Sequence, residues 1–225
     1  SLRTTTRPLR SSAVVSRRSW LLLGVLSALW GSSYLFIKVA LEDDMSPTLI
    51  VCARTVLAAL VLLPVAARAG ALGGLRHNRR AILVLAVVQM GGPTLLIAAG
   101  ERHIASSLTG ILVAAAPIFT FLLAFALEGE ERASRTSLAG VAIGIAGVAM
   151  LLGVDVEGGF EAVAGGLMVV LAAFGYGVSA WYVKRHVHDV QPVAMVGATA
   201  ATVALLMAPF AAISAPAHLP DLEAT

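Results

Sequence analysis

Three residues able to hold a ligand stand together in an otherwise apolar run: Trp30, Ser33 and Tyr34, within WLLLGVLSALWGSSYLFIKVAL at 20–41. Spaced i, i+3 and i+4, they share one face of a helix. An aromatic surface beside hydroxyl donors suits stacking and hydrogen bonding to a small polar or amphipathic solute. The plainer use of the same Gly and Ser residues is close helix packing. A second group, Gln89-Met90-Gly91-Gly92-Pro93-Thr94, interrupts another apolar run. Pro93 frees a carbonyl one turn back, and Gly91 and Gly92 loosen the helix. These three read as a kink or hinge, with Gln89 and Thr94 as candidate solute contacts beside the opened backbone. A kink satisfied by neighbouring helices is the competing reading.

Tyr176 and Trp181 extend the list of cavity candidates, although Trp181 also suits an interface anchor at the cytoplasmic end of its run. Pro117 reads as a kink or hinge, with Thr109 and Thr120 bonding back to their own helix. Lys38 and Arg54 are the formal charges well inside apolar runs, each within about two turns of an outer end. They could gate or meet a solute carboxylate. The cheaper arrangement is snorkelling to headgroups or to Glu42, Asp43 and Asp44.

Such residues need elements to carry them, and composition says which. The 225 residues are 58% hydrophobic and 13% charged, with a mean hydropathy of +0.88; a soluble domain is nearer a quarter charged. Seven apolar runs follow a basic, Ser/Thr-rich arm (1–19) that is expected to be disordered. They lie near 20–41, 48–67, 81–99, 104–127, 137–153, 164–184 and 192–213, and predict an all-α, polytopic transmembrane bundle. With the N-terminus inside, the cytoplasmic segments hold the five Arg of the arm and Arg68, Arg76, Arg79, Arg80, Arg132, Arg135, Lys184 and Arg185, whereas the outer loops hold only Arg102. This is a positive-inside pattern, so the basic pI of about 9.5 marks topology rather than a nucleic-acid partner. The lone Cys52 excludes an intrachain disulfide.

The chain also echoes itself. Tyr176, Gly177, Ser179 and Lys184 follow Trp30, Gly31, Ser33 and Lys38 at a constant spacing of 146 residues, and Pro192 follows Pro47 at 145. Five spans separate the two starts, and an odd-numbered repeat has inverted topology, as in many secondary transporters. The expected layout is a first five-helix repeat over 20–155 and an incomplete second repeat of two helices over 156–225, which makes the chain a C-terminally truncated form of a five-plus-five protein.

Taken in order, Trp30-Gly31-Ser32-Ser33 with Lys38, Pro47 with Arg54, Ala99 to Ala105, Pro117, Glu131-Arg132, Gly140 and Gly147-Val148 resemble the EamA family of the drug/metabolite transporter superfamily. The resemblance runs from about Trp20 to Pro209. It implies ten helices in two inverted repeats around a central cavity, and export of amino acids, other metabolites or drugs from the cell by a plasma- or inner-membrane permease.

Other classes fit less well. Gly177-Val178-Ser179-Ala180 faintly suggests an intramembrane serine protease, but each His is near a water interface. No HExxH spacing occurs, and 192–213 holds no Lys for a retinal-type Schiff base. The sequence therefore assigns no catalytic residue, no metal ligand and no cofactor. The expected partners are a small-molecule substrate and the lipid bilayer. Gly140-x-x-x-Gly144 with Gly147 suits packing within the bundle, and secondarily a homodimer. No Asp or Glu stands in the middle of a span. Glu101 and His103 fall at an outer turn, and His186 and His188 in a cytoplasmic loop. Coupling is then expected to use further helices, or transport to be uncoupled or to run by exchange.

Overall fold

In a computed structural model the chain is described over residues 17–128, 134–154 and 159–214. The arm up to residue 16, the linker acids and base Glu130, Glu131 and Arg132, and the acidic tail from residue 215 lie outside the described residues. The described part is helical, without strands. Seven helices follow one another: α1 (Arg17–Glu42), α2 (Pro47–Arg68), α3 (Arg79–Gly100), α4 (Ser106–Leu127), α5 (Arg135–Val154), α6 (Gly159–His186) and α7 (Pro192–Ile213). All but α5 are long and apolar enough to cross a membrane; the apolar stretch of α5 is Thr136–Met150. The expected helical bundle is present, with each helix within a few residues of its predicted run. One departure is that α1 begins at Arg17, inside the arm expected to be disordered.

Local chemistry sets the ends. Ser46 caps α2 by accepting from the Leu49 amide at 3.2 Å, and Pro47 occupies the first turn, where its missing N–H costs nothing. Pro192 starts α7 in the same way. The turns before them hold Asp44 and Asp189 in the left-handed region, at φ 59° and 58°. Asp tolerates that region better than most residues.

The chain divides into two units at Ser33 and Tyr34, within α1. In the first unit, α1 from Arg17 to Gly31 is exposed throughout. The second is organised around α6, and the reason is the placement of its glycines. A Cβ on Gly165 would stand 2.9 Å from the Gly100 carbonyl oxygen, and one on Gly100 would stand 2.7 Å from that of Gly165. The end of α3 and the start of α6 therefore cross with their backbones in contact, which side chains would prevent. A Cβ on Gly175 would lie 2.9 Å from the Val88 carbonyl, and one on Gly177 would lie 2.7 Å from Phe119 Cβ on α4. On the far side α2 packs along α7, where Gly197 faces Leu62 and Leu63. In α5, Gly144 packs on Ile118, while the space beside Gly140 and Gly147 is open.

Helix α3 is irregular where its sequence predicts. Between α-helical Arg79–Leu85 and Gly92–Gly100 runs a π-helical segment, Ala86–Gly91. A widened turn accommodates Pro93, whose ring and missing N–H disrupt the regular ladder. Helix α4 is likewise interrupted, by a turn at Ala114 and Ala115 just ahead of Pro117.

Candidate functional site

The turn joining α3 to α4 is held by its own backbone. The Glu101 amide donates to Ile97 O at 2.8 Å, and the His103 and Ile104 amides to Gly100 O at 2.9 and 3.2 Å. Gly100 lets α6 come within backbone contact, and the next residue, Glu101, is buried. Its exposure is 0%, and neither carboxyl oxygen has a hydrogen-bond partner. Arg102 and His103 beside it are exposed, and His103 Nδ1 pairs with Glu161 Oε2 of α6 at 3.5 Å.

A polar cluster surrounds this carboxyl. The Lys38 ammonium donates to the Glu101 backbone carbonyl at 2.7 Å. That is a C-terminal helix oxygen, where a cation is favoured, so Lys38 reaches inward. The hydroxyls of Thr109 and Ser106 are close to the carboxyl but donate elsewhere, to Ala105 O at 3.3 Å and to Tyr34 O at 3.5 Å. Tyr34 is within electrostatic reach of both Glu101 and Arg54. Tyr176 of α6 in turn faces Tyr34, Arg54 and the Thr94 hydroxyl. Apolar residues enclose the group: Ile37, Ile50, Ile97, Ile104 and Leu112 are buried, with Tyr34 and Tyr176 packed against them.

Glu101 lies between spans, and its titration follows from this setting. Burial pushes its carboxyl up to about 7. The Thr109 hydroxyl, on turning to the carboxyl, would favour the anion, as do the Lys38 and Arg54 charges and as would the Ser106 hydroxyl, and together they do not offset the burial.

Beside the cluster is an open-sided cleft of about 530 Å³ between α4 and α6, lined by Pro117, Thr120, Phe121 and Tyr176 among others. Its walls are mostly apolar, and Tyr176 belongs to both cleft and cluster. Phe119 and Phe174 meet edge to face across the same two helices, 5.6 Å between centroids.

The sequence candidates thus separate. Tyr34, Lys38 and Arg54 come together around Glu101, Tyr176 and Thr94 adjoin them through Tyr34 and Arg54, and Pro117 lines the adjoining cleft. Gly91, Gly92 and Pro93 form the junction of the π segment with the α-helix that follows, with Gln89 half-buried inside that segment. Trp181 is half-buried nearer the other end of α6, 5.9 Å from the His186 ring, and its indole N–H is buried without a partner. In the first unit Trp30 is 65% exposed, whereas Ser33 is half-buried. The serine of the Gly177–Ala180 run, Ser179, donates to Tyr176 O at 2.8 Å, as a helix-bound hydroxyl does. Among the described residues no cluster of His, Cys, Asp or Glu could hold a metal ion.

Residue-by-residue reading missed Glu101, together with the roles of Ser106 and Thr109 beside it. The available signal was indirect: two basic residues, Lys38 and Arg54, sit inside apolar runs at a similar depth and call for an acid near them.

Comparison with known proteins completes the picture. A curated protein of Streptantibioticus cattleyicolor, described as a probable terminal-alkyne amino-acid exporter, is 33% identical over 163 residues. The match takes in 71% of this chain and 52% of the relative, so the chain spans about half the relative's length. No solved structure matches. Residues 18–153, from α1 through α5, match the EamA-like transporter family. A multi-pass helical chain matched over more than half its length in this way belongs to the EamA-like transporter family.

Proposed function

We propose that this protein exports small organic solutes, amino acids and related compounds first among them and drugs second, across a plasma or inner membrane by alternating access. In this reading the N-terminus is cytoplasmic, α1 to α5 form one repeat, and α6 and α7 open a second repeat of inverted orientation. The observation that carries the proposal is the cluster of Tyr34, Lys38, Arg54, Thr94, Glu101 and Tyr176. It holds charges of both signs and aromatic hydroxyls within an apolar bundle. Such groups are expensive in a membrane and are retained where a polar solute or ion passes. An amino acid carries one charge of each sign, which suits a carboxylate near two cations. The apolar cleft beside Tyr176 suits its side chain. The similarity to a probable terminal-alkyne amino-acid exporter supports amino acids, alkynyl ones included, as the first solutes to test.

The test is efflux. Cells expressing the protein and preloaded with labelled amino acids, alkynyl ones included, should retain less label than cells with an empty vector. Equal retention across that panel and a drug panel would sink the reading.

A further inference from the structure

The export reading counts Glu101 in its cluster but does not say when this buried carboxyl holds a proton. We propose that Glu101 is a proton-exchange site on which export turns: its carboxyl carries a proton in one state of the transport cycle and releases it in another. The inference rests on the export reading for its second half only.

Geometry supports it in three ways. First, a carboxylate with 0% exposure and neither oxygen hydrogen-bonded is a form that a protein stabilises poorly, whereas the neutral acid tolerates the site. Its place at the C-terminal end of α3 adds the unfavourable end of the helix dipole. Second, the anion has a partner ready. Lys38 already reaches this residue's carbonyl at 2.7 Å, and an ammonium has three hydrogens to give, so it can also serve the carboxylate after the proton leaves. Third, water is close. Arg102 and His103 are exposed, so the proton can come from and return to bulk water at this turn, with no other co-reactant.

The groups facing Glu101 are Tyr34 and Lys38 from α1, Arg54 from α2, and Ser106 and Thr109 from α4; the nearest acid of α6, Glu161, is exposed and paired with His103. His103, at the same turn and paired with Glu161, serves as the control.

Infrared difference spectroscopy of the purified protein reads the carboxyl directly. A protonated-carboxyl band should titrate near neutral pH, disappear in Glu101→Gln and persist in His103→Ala. The Glu101→Asp variant, which keeps a carboxyl, should retain a shifted titration even if the amide variant folds poorly. In proteoliposomes, amino-acid flux should follow the protonated fraction, which changes about tenfold between about pH 6 and pH 8. Glu101→Gln should be indifferent to pH. A band that survives in Glu101→Gln, or vanishes in His103→Ala, overturns the site. Wild-type flux that ignores pH while the band titrates overturns the coupling. Wild-type protein that moves no solute at any pH, with a band that depends on Glu101, overturns the export reading and leaves the proton site standing.

Discussion

Two irregular places in α3 contrast. In its middle, Ala86–Gly91 winds as a π-helix ahead of Pro93, and Gln89 and Thr94 are only half-buried there. At its end, one residue past Gly100, Glu101 is fully enclosed. Both depend on α6, through Gly175 against the Val88 carbonyl and Gly165 against that of Gly100. The middle is a backbone device, widened by local residues and then covered. The end is an electrostatic device, a buried carboxyl beside two cations from other helices. An irregular helix thus need not hold its most consequential group where the backbone is most disturbed.

Altering Glu101 should break the contrast most severely. Its folded-state titration is raised, so between about pH 4.5 and 7 the native form binds more proton than the unfolded chain, and stability falls as pH rises through that window. Glu101→Gln should remove that cost. Thermal unfolding in detergent should show the variant matching wild type at low pH and exceeding it at pH 8, by up to about 3 kcal/mol.

Next come the glycines that make the enclosure. Gly165→Val forces a side chain into the Gly100 carbonyl and should cost about 1–3 kcal/mol. If the helices separate, water reaches Glu101, and its infrared titration should move down toward the ordinary carboxylate range. Gly175→Ala, pressing on Val88 O and Pro93, should cost a similar or smaller amount yet leave that titration in place. A shift in the second variant equal to that in the first would dissolve the distinction between the two places.

Lys38→Met removes a charge that favours the anion, so the Glu101 titration should move further up, by about one pH unit. The same infrared titration reads it. The smallest effect belongs to Trp30→Ala. With the ring 65% exposed, unfolding stability should change by less than about 0.5 kcal/mol.

The sequence by itself determined the class and the order of elements. Apolar runs of membrane length separated by short polar turns leave few alternatives to a helical bundle, because unpaired backbone is not tolerated in lipid. It also located the α3 interruption, since Gly-Gly-Pro acts on its own backbone whatever surrounds it. Tertiary structure alone decided the fate of Glu101. In the string it is one acid in a short polar turn beside Arg102 and His103, indistinguishable from a solvated charge. Burial is a property of what arrives from elsewhere: α1 and α2 bring Lys38 and Arg54 to Glu101, and α6, some sixty residues on, meets the neighbouring Gly100 because two glycines, one on each helix, leave the backbones bare. The same holds for Lys38, whose reach toward Glu101 rather than outward depends on how α1 and α3 are placed, and no local pattern encodes that.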